Sequence, residues 1–307
     1  MNILLVDADS KKNFPNLALM KLSAWLKKQG HRPELIRGIP TTAPLEEYKL
    51  VYISCIYFQN KDKVLEYAAQ FENVVLGGSG IDLDMKLDDD IEHIMPDYGL
   101  YDIDFSMGFT SRGCIRNCSF CIVPEKEGYI KDNAPISEFH DPEHENIILL
   151  DNNFQASPKW RENLEYLWER GLHVNFNQGL DIRLLTNEFV KTLSRINFEN
   201  WTFRRSTINF AFDDLRYEKQ FREGVRLLDH YGINSRKLSV YMLVGYNTTR
   251  EEDKKRFEIM QELGVYPYVM KYNRSDDVWI RHFARYVNRK YFEFIEWDDY
   301  NDGVLNQ

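Results

Sequence analysis

The alternation of short β-rich runs with helical ones constrains this chain more than any other feature. Residues 2–7 (NILLVD), 48–58 (YKLVYISCIYF) and 73–80 (NVVLGGSG) read as strands, separated by a helix over 17–30 and by a polar helix. Strands divided by helices imply a small parallel sheet, because parallel neighbours need crossover connections. Residues 81–102 are acidic and loop-like and read as a linker. Beyond them the alternation resumes in longer units, with strands at 104–109, 146–151, 173–178, 207–212, 237–245 and 266–272. Six strand-to-helix units in this order predict a partial (β/α)6 TIM-like barrel over 103–273. The expected organisation is therefore α/β throughout. A small Rossmann-like domain spans 1–80, the linker 81–102, the barrel 103–273 and a C-terminal helical extension 274–307. Gly77, Gly78 and Gly80 end the last N-terminal strand without a full dinucleotide fingerprint, so they read as a plain turn.

Composition removes several function classes. With 43% hydrophobic and 14% aromatic residues the chain can bury a sizeable core, and no apolar run reaches the roughly 20 residues a membrane-spanning helix needs. The start, MNILLVDADS, lacks the basic region and cleavage site of a signal peptide, so the expected location is cytoplasmic, with no membrane partner. A formal net charge of −9 does not favour nucleic acid as a partner. Four cysteines are too few for a disulfide scaffold, and three of them lie within eight residues, which suits metal binding.

Those three, Cys114, Cys118 and Cys121, have C-x3-C-x2-C spacing. A structural zinc would ordinarily need a fourth protein ligand, and none lies close by; Cys55 sits in an apolar run as a core thiol. Three thiolates without a fourth partner suit a cluster with one iron open to an external ligand. Zinc completed by His140 or His144 is the competing reading. Barrel logic places polar residues at the carboxyl ends of the strands, and they cluster there: 112–121, 151–153, 175–181, 213–214 and 245–249.

With its spacing, its position after the first barrel strand and an aromatic, Phe120, before the third cysteine, the segment resembles the radical S-adenosylmethionine superfamily. The resemblance implies a [4Fe-4S] cluster held by the three cysteines. The amino and carboxylate groups of S-adenosylmethionine bind the open iron, and electron transfer splits the molecule into methionine and a 5′-deoxyadenosyl radical. An electron donor such as flavodoxin or ferredoxin would be a partner. The resemblance runs from 103 to about 273. It assigns cofactor contacts to Phe120, to Asp151 and Asn153 where the family often has Gly-Gly-Glu, and to Asn209 and Asp213 (with Asp214) near the ribose. Gly245 is assigned to the adenine, in Met-Leu-Val-Gly-Tyr-Asn-Thr-Thr. Gln178, Asp181 and Arg183 are candidate contacts after the third strand, with a salt-bridged loop as the alternative. Arg205 or Arg204 is a candidate partner of the cofactor carboxylate. N-capping is the competing role for Asp213 and Asp214. No residue is assigned a catalytic role toward the substrate.

The N-terminal sheet weakly resembles cobalamin-binding domains. Its first loop, Asp7-Ala-Asp9-Ser-Lys-Lys, lacks the histidine and glycine of that family, so cobalamin is not expected. The chain as a whole is similar to compact bacterial and phage radical proteins carrying Asn-Phe-Pro-Asn-Leu-Ala-Leu-Met at 13–20. A methylthiotransferase acting on RNA would need further cysteines and length. A cobalamin-dependent methyltransferase and a non-catalytic, zinc-stabilised binding protein complete the alternatives. At the C-terminal end, Arg281, Arg285 and Arg289 recur at spacing four opposite the apolar Ile280, Phe283 and Val287. They form either a solvated face or, with Lys271 and Arg274, an anion-binding strip for an anionic substrate.

Overall fold

The computed structural model describes residues 1–9, 14–44, 48–274 and 277–300, with only the backbone of Arg274. Ser10 to Lys12 of the first loop, Asn13 of the 13–20 motif and the Arg274 side chain lie outside the described residues. The chain divides into two compact units, Met1–Ile148 and Leu149–Gln307.

The first unit opens with β1 (Asn2–Asp7), α1 (Leu17–Lys28), β2 (Arg32–Arg37), β3 (Leu50–Ser54), α2 (Lys61–Ala68) and β4 (Val74–Gly77). The strands form one parallel sheet in the order β2-β1-β3-β4. β1 is apolar on both sides because both faces are covered. Leu4 and Val6 pack with Val64, Tyr67 and Ala68 of α2, while Ile3 and Leu5 pack with Leu19, Leu22 and Leu26 of α1. Asn16 starts α1 by accepting from the Leu19 N–H, and its amide donates to Ser54 Oγ at 2.8 Å, fixing the helix to the end of β3.

The acidic stretch 81–102, expected as a linker, is packed. It forms α3 (Asp89–Glu92) and buries Ile91, Ile94, Tyr98 and Tyr101. Tyr101 donates to Asp7 Oδ2 at 2.8 Å and Ser23 to Asp97 at 2.6 Å. The unit continues with β5 (Phe105–Gly108), β6 (Ser111–Arg112), α4 (Val123–Lys126), β7 (Lys131–Asp132) and β8 (Asn146–Leu149), which lies beside β5.

The second unit begins at the last residue of β8. Its elements are α5 (Trp160–Glu169), β9 (His173–Phe176), α6 (Asn187–Leu193), β10 (Asn197–Phe198), β11 (Ile208–Ala211), α7 (Glu218–His230), β12 (Leu238–Val244), α8 (Arg250–Glu262), β13 (Tyr266–Lys271) and α9 (Val278–Asn288). β9 pairs in parallel with β10, and β11-β12-β13 form a second parallel sheet. A parallel bridge joins Leu180 to Phe210. β12 alternates strictly, with Leu238, Val240, Met242 and Val244 buried and Ser239, Tyr241 and Leu243 less so. The less buried face continues through Asn209 and Ala211 on one side and Tyr266, Tyr268 and Met270 on the other. Asn288 of α9 seals the edge of β13, its amide exchanging hydrogen bonds of 2.7 and 2.9 Å with the Val269 backbone. The chain is thus a mixed α/β protein with several parallel sheets.

Candidate functional site

The cysteine loop is a closed structure. β6 and β7 pair antiparallel at its base, Ser111 opposite Asp132 and Arg112 opposite Lys131. Gly113 then turns at φ +83, where a Cβ would lie 2.5 Å from the Tyr129 carbonyl oxygen, so only glycine fits. The Cys114 N–H donates to Gly128 O at 3.2 Å, the Arg116 N–H to Cys114 Sγ at 3.3 Å and the Cys121 N–H to Cys118 O at 2.9 Å. None of the four cysteines is in a disulfide. Cys55 is buried, and burial pushes its thiol up to about 11, as befits a core thiol.

Burial also pushes the Cys121 thiol up, with a smaller contribution in the same direction from Cys114. Coordination to a metal cation deprotonates a thiol outright, so burial of Cys121 does not bar it from ligation. The donor chemistry fits a thiolate-held cluster. Among the described residues, no three His, Cys, Asp or Glu side chains are already gathered as a metal-binding group.

Arg112 locks this loop. Its Nε donates to Asn133 Oδ1 at 3.2 Å, its Nη1 to Glu127 at 3.3 Å and its Nη2 to Glu92 at 2.7 Å, and its guanidinium lies 4.0 Å over the Phe109 ring. Glu92 also pairs with Lys21 of α1 at 3.0 Å. Burial works against the Glu92 charge, yet Arg112 and Lys21 together hold its carboxyl below the usual range. Burial lowers Lys21 despite Glu92. Asn133 and Glu127 lie at the far side of the loop, so one side chain joins its two ends to α3 and, through Glu92, to Lys21 of α1. The sequence reading missed this role, although an arginine immediately before the glycine and first cysteine was the available signal.

The other assigned residues fall as follows. Phe120 is exposed. Asp151 and Asn153 are buried in the loop after β8, with Gln155 beside them. Gln178 is exposed in the turn after β9. Asp181 caps the following turn and grips Arg183 through two hydrogen bonds of 2.7 and 2.9 Å, so this pair forms the salt-bridged loop. Arg204 and Arg205 are exposed, and their backbone N–H groups donate to Asn200 Oδ1.

Asn209 lies on the less buried face of β11. Asp213 accepts from the Leu243 N–H at 2.7 Å, and burial pushes its carboxyl up against the pull of that bond, Arg256 and Arg183. Asp214 takes the capping role, accepting from the Arg216 N–H and side chain, and that side chain holds its carboxyl down. Gly245 turns at φ +85, and a Cβ there would come within 2.7 Å of Ile280 Cδ1. Thr249 and Glu252 form the capping box of α8, with reciprocal bonds of 3.2 and 2.8 Å.

Beside Asp213 lies a buried guanidinium that the sequence reading also passed over. Arg256, wholly buried, donates to Phe212 O at 3.0 Å and Leu243 O at 2.8 Å and pairs with Asp253, joining the carboxyl ends of β11 and β12 to α8. Its i, i+3 spacing from Asp253, next to Phe257 and Met260, was the legible sign. On α9, Ile280, Phe283 and Val287 are buried as expected. Arg281, Arg285 and Arg289 are exposed, in no ion pair among the described residues.

No protein-family model matches the chain, and a comparison with curated proteins finds no match.

Proposed function

We propose that this chain is a radical S-adenosylmethionine enzyme, with residues 103–273 forming a partial (β/α)6 barrel. The observation that carries the reading is the cysteine loop. It presents three thiols, none of them in a disulfide, at C-x3-C-x2-C spacing on a turn that Gly113 and Arg112 close. Cys114, Cys118 and Cys121 would hold a [4Fe-4S] cluster, which supplies the electron that splits S-adenosylmethionine into methionine and a 5′-deoxyadenosyl radical.

The chain's own residues then bind and orient. Arg112 fixes the loop through Glu92, Glu127 and Asn133. At the carboxyl end of β11, Asn209 and Asp213 would accept from ribose hydroxyls. The less buried sheet face, with Tyr241 and Tyr268 rings 5.8 Å apart, offers apolar surface to the adenosyl group or substrate. Asp214, turned to Arg216, is left out of the cofactor site.

Iron and sulfide analysis of anaerobically purified protein tests this. Wild type is expected to carry four irons and four sulfides. Cys114→Ala, Cys118→Ala and Cys121→Ala are expected to lose them, and Cys55→Ala to retain them. Stoichiometric zinc without iron would replace the enzyme with a zinc-stabilised binding protein.

A further inference from the structure

The strand order of the N-terminal sheet reverses within the same unit as the cysteine loop. The order β2-β1-β3-β4 makes the chain leave β1 toward β2 and then return to its other side as β3. In open parallel sheets that reversal opens a crevice at the carboxyl ends of the two strands, where small ligands bind.

Three consecutive apolar residues follow β3 at this point, and all face outward: Ile56 is 46% exposed, Tyr57 59% and Phe58 70%. Exposed apolar residues scattered singly need no explanation, but three in sequence at a crevice mark a contact surface. They are also held in place. Asp9, just past β1, accepts from the backbone N–H groups of Ile56 and Tyr57 and from Asn60 Nδ2 at 2.6 Å. The turn after β4 closes against the same loop, since a Cβ on Gly80 would lie 2.8 Å from the Tyr57 carbonyl carbon.

Lysines surround that turn. Lys126 of α4, five residues past Cys121, donates to Ser79 Oγ, and Lys61 donates to Ile81 O at 3.1 Å. Burial disfavours the Lys126 charge, and Arg112 and Lys86 disfavour it further, against the pull of Glu127. Among the described residues none of the three lysines is in an ion pair, and Glu127, the acid that favours the Lys126 charge, is engaged by Arg112. A partly buried ammonium with only a hydroxyl partner gains from a bound anion.

We infer that this crevice binds a small aromatic or apolar molecule carrying an anionic group, its body on Ile56, Tyr57 and Phe58 and its anion at Lys126, Lys61 and Lys86. The contact between Lys126 and Ser79 sets this crevice next to the cysteine loop, and identifying the ligand as the enzyme's substrate rests on the function proposed above.

The test uses the full chain and two probes of similar size, anionic 8-anilino-1-naphthalenesulfonate and neutral N-phenyl-1-naphthylamine, followed by fluorescence. Wild type is expected to bind both saturably. Lys126→Gln and the exposed Lys86→Gln are expected to weaken the anionic probe by about tenfold and five-fold and to leave the neutral one within twofold, while Lys126→Arg restores binding. Phe58→Ser is expected to weaken both. The inference is overturned if the anionic probe binds the lysine variants and Phe58→Ser as it binds wild type, if it does not saturate, or if the lysine variants lose both probes equally. A protein segment as the true occupant would show as failure of both small probes, which also overturns it. Iron is measured in the same preparations. Wild type without iron but with lysine-dependent probe binding would count against the radical enzyme alone.

Discussion

Replacing Arg112 with methionine tests whether one side chain holds the cysteine loop. The guanidinium makes three polar contacts, to Glu92, Glu127 and Asn133, and its side chain is 20% exposed, with Glu92 at 17% and Glu127 at 7%. Breaking a buried ion pair by removing one partner costs about 3–5 kcal/mol, because a charge is left behind without compensation. Residual solvent access and the surviving Lys21–Glu92 pair place this case near the lower end, at about 3 kcal/mol. At roughly 2–4 °C per kcal/mol for a unit of this size, the transition of the first unit should fall by about 6–12 °C in thermal unfolding followed by circular dichroism. Arg112→Lys keeps the charge without the planar fork and should recover less than half of the loss.

The pH dependence has a definite sign. Glu92 is held below its ordinary value in the fold, so its contribution is present above that value and is lost as pH falls through the lower, folded one. The gap between wild type and Glu92→Gln should therefore be full at pH 7 and close below about pH 4. A loss under about 1 kcal/mol for Arg112→Met, with iron retained, would refute the role given to Arg112.

Asp214→Ala removes a turn cap and should lower stability by up to about 1 kcal/mol while leaving S-adenosylmethionine affinity within twofold. Asp213→Ala should weaken that affinity about tenfold, and isothermal titration separates the two. Arg256→Met should cost about 3–5 kcal/mol in denaturant unfolding, and adding Asp253→Leu should restore most of it by removing the stranded carboxylate; no restoration would contradict the pairing. Both carboxamide atoms of Gln155 are buried without a partner among the described residues. Gln155→Met should therefore leave melting temperature unchanged or raise it, and a drop of several degrees would reveal a partner such as an ordered water.

The apolar strands were legible because each is a run of Val, Ile, Leu or aromatic residues bounded by polar turns. β2 was not, since Arg-Pro-Glu-Leu-Ile-Arg is half polar and carries Pro33. An edge strand tolerates both, having a neighbour on one side only. The acidic stretch 81–102 misled for the opposite reason. Its carboxylates dominate the composition, while Ile91, Ile94, Tyr98 and Tyr101, spaced among them, supply the buried contacts. Motif spacing marked the cysteines but not what secures them, because Glu92, Glu127 and Asn133 reach Arg112 from 15 to 21 residues away. The Asp213-Asp214 pair shows the same limit. Identical neighbouring side chains part company only once Arg216 and the Leu243 N–H are in place.

The most direct measurement is product analysis after adding S-adenosylmethionine and dithionite to the anaerobic, cluster-loaded protein. Slow release of 5′-deoxyadenosine and methionine in equal amounts is expected even without substrate, and none from the Cys114→Ala, Cys118→Ala or Cys121→Ala proteins. Reduced protein with a full cluster that neither binds S-adenosylmethionine nor yields deoxyadenosine would contradict the account.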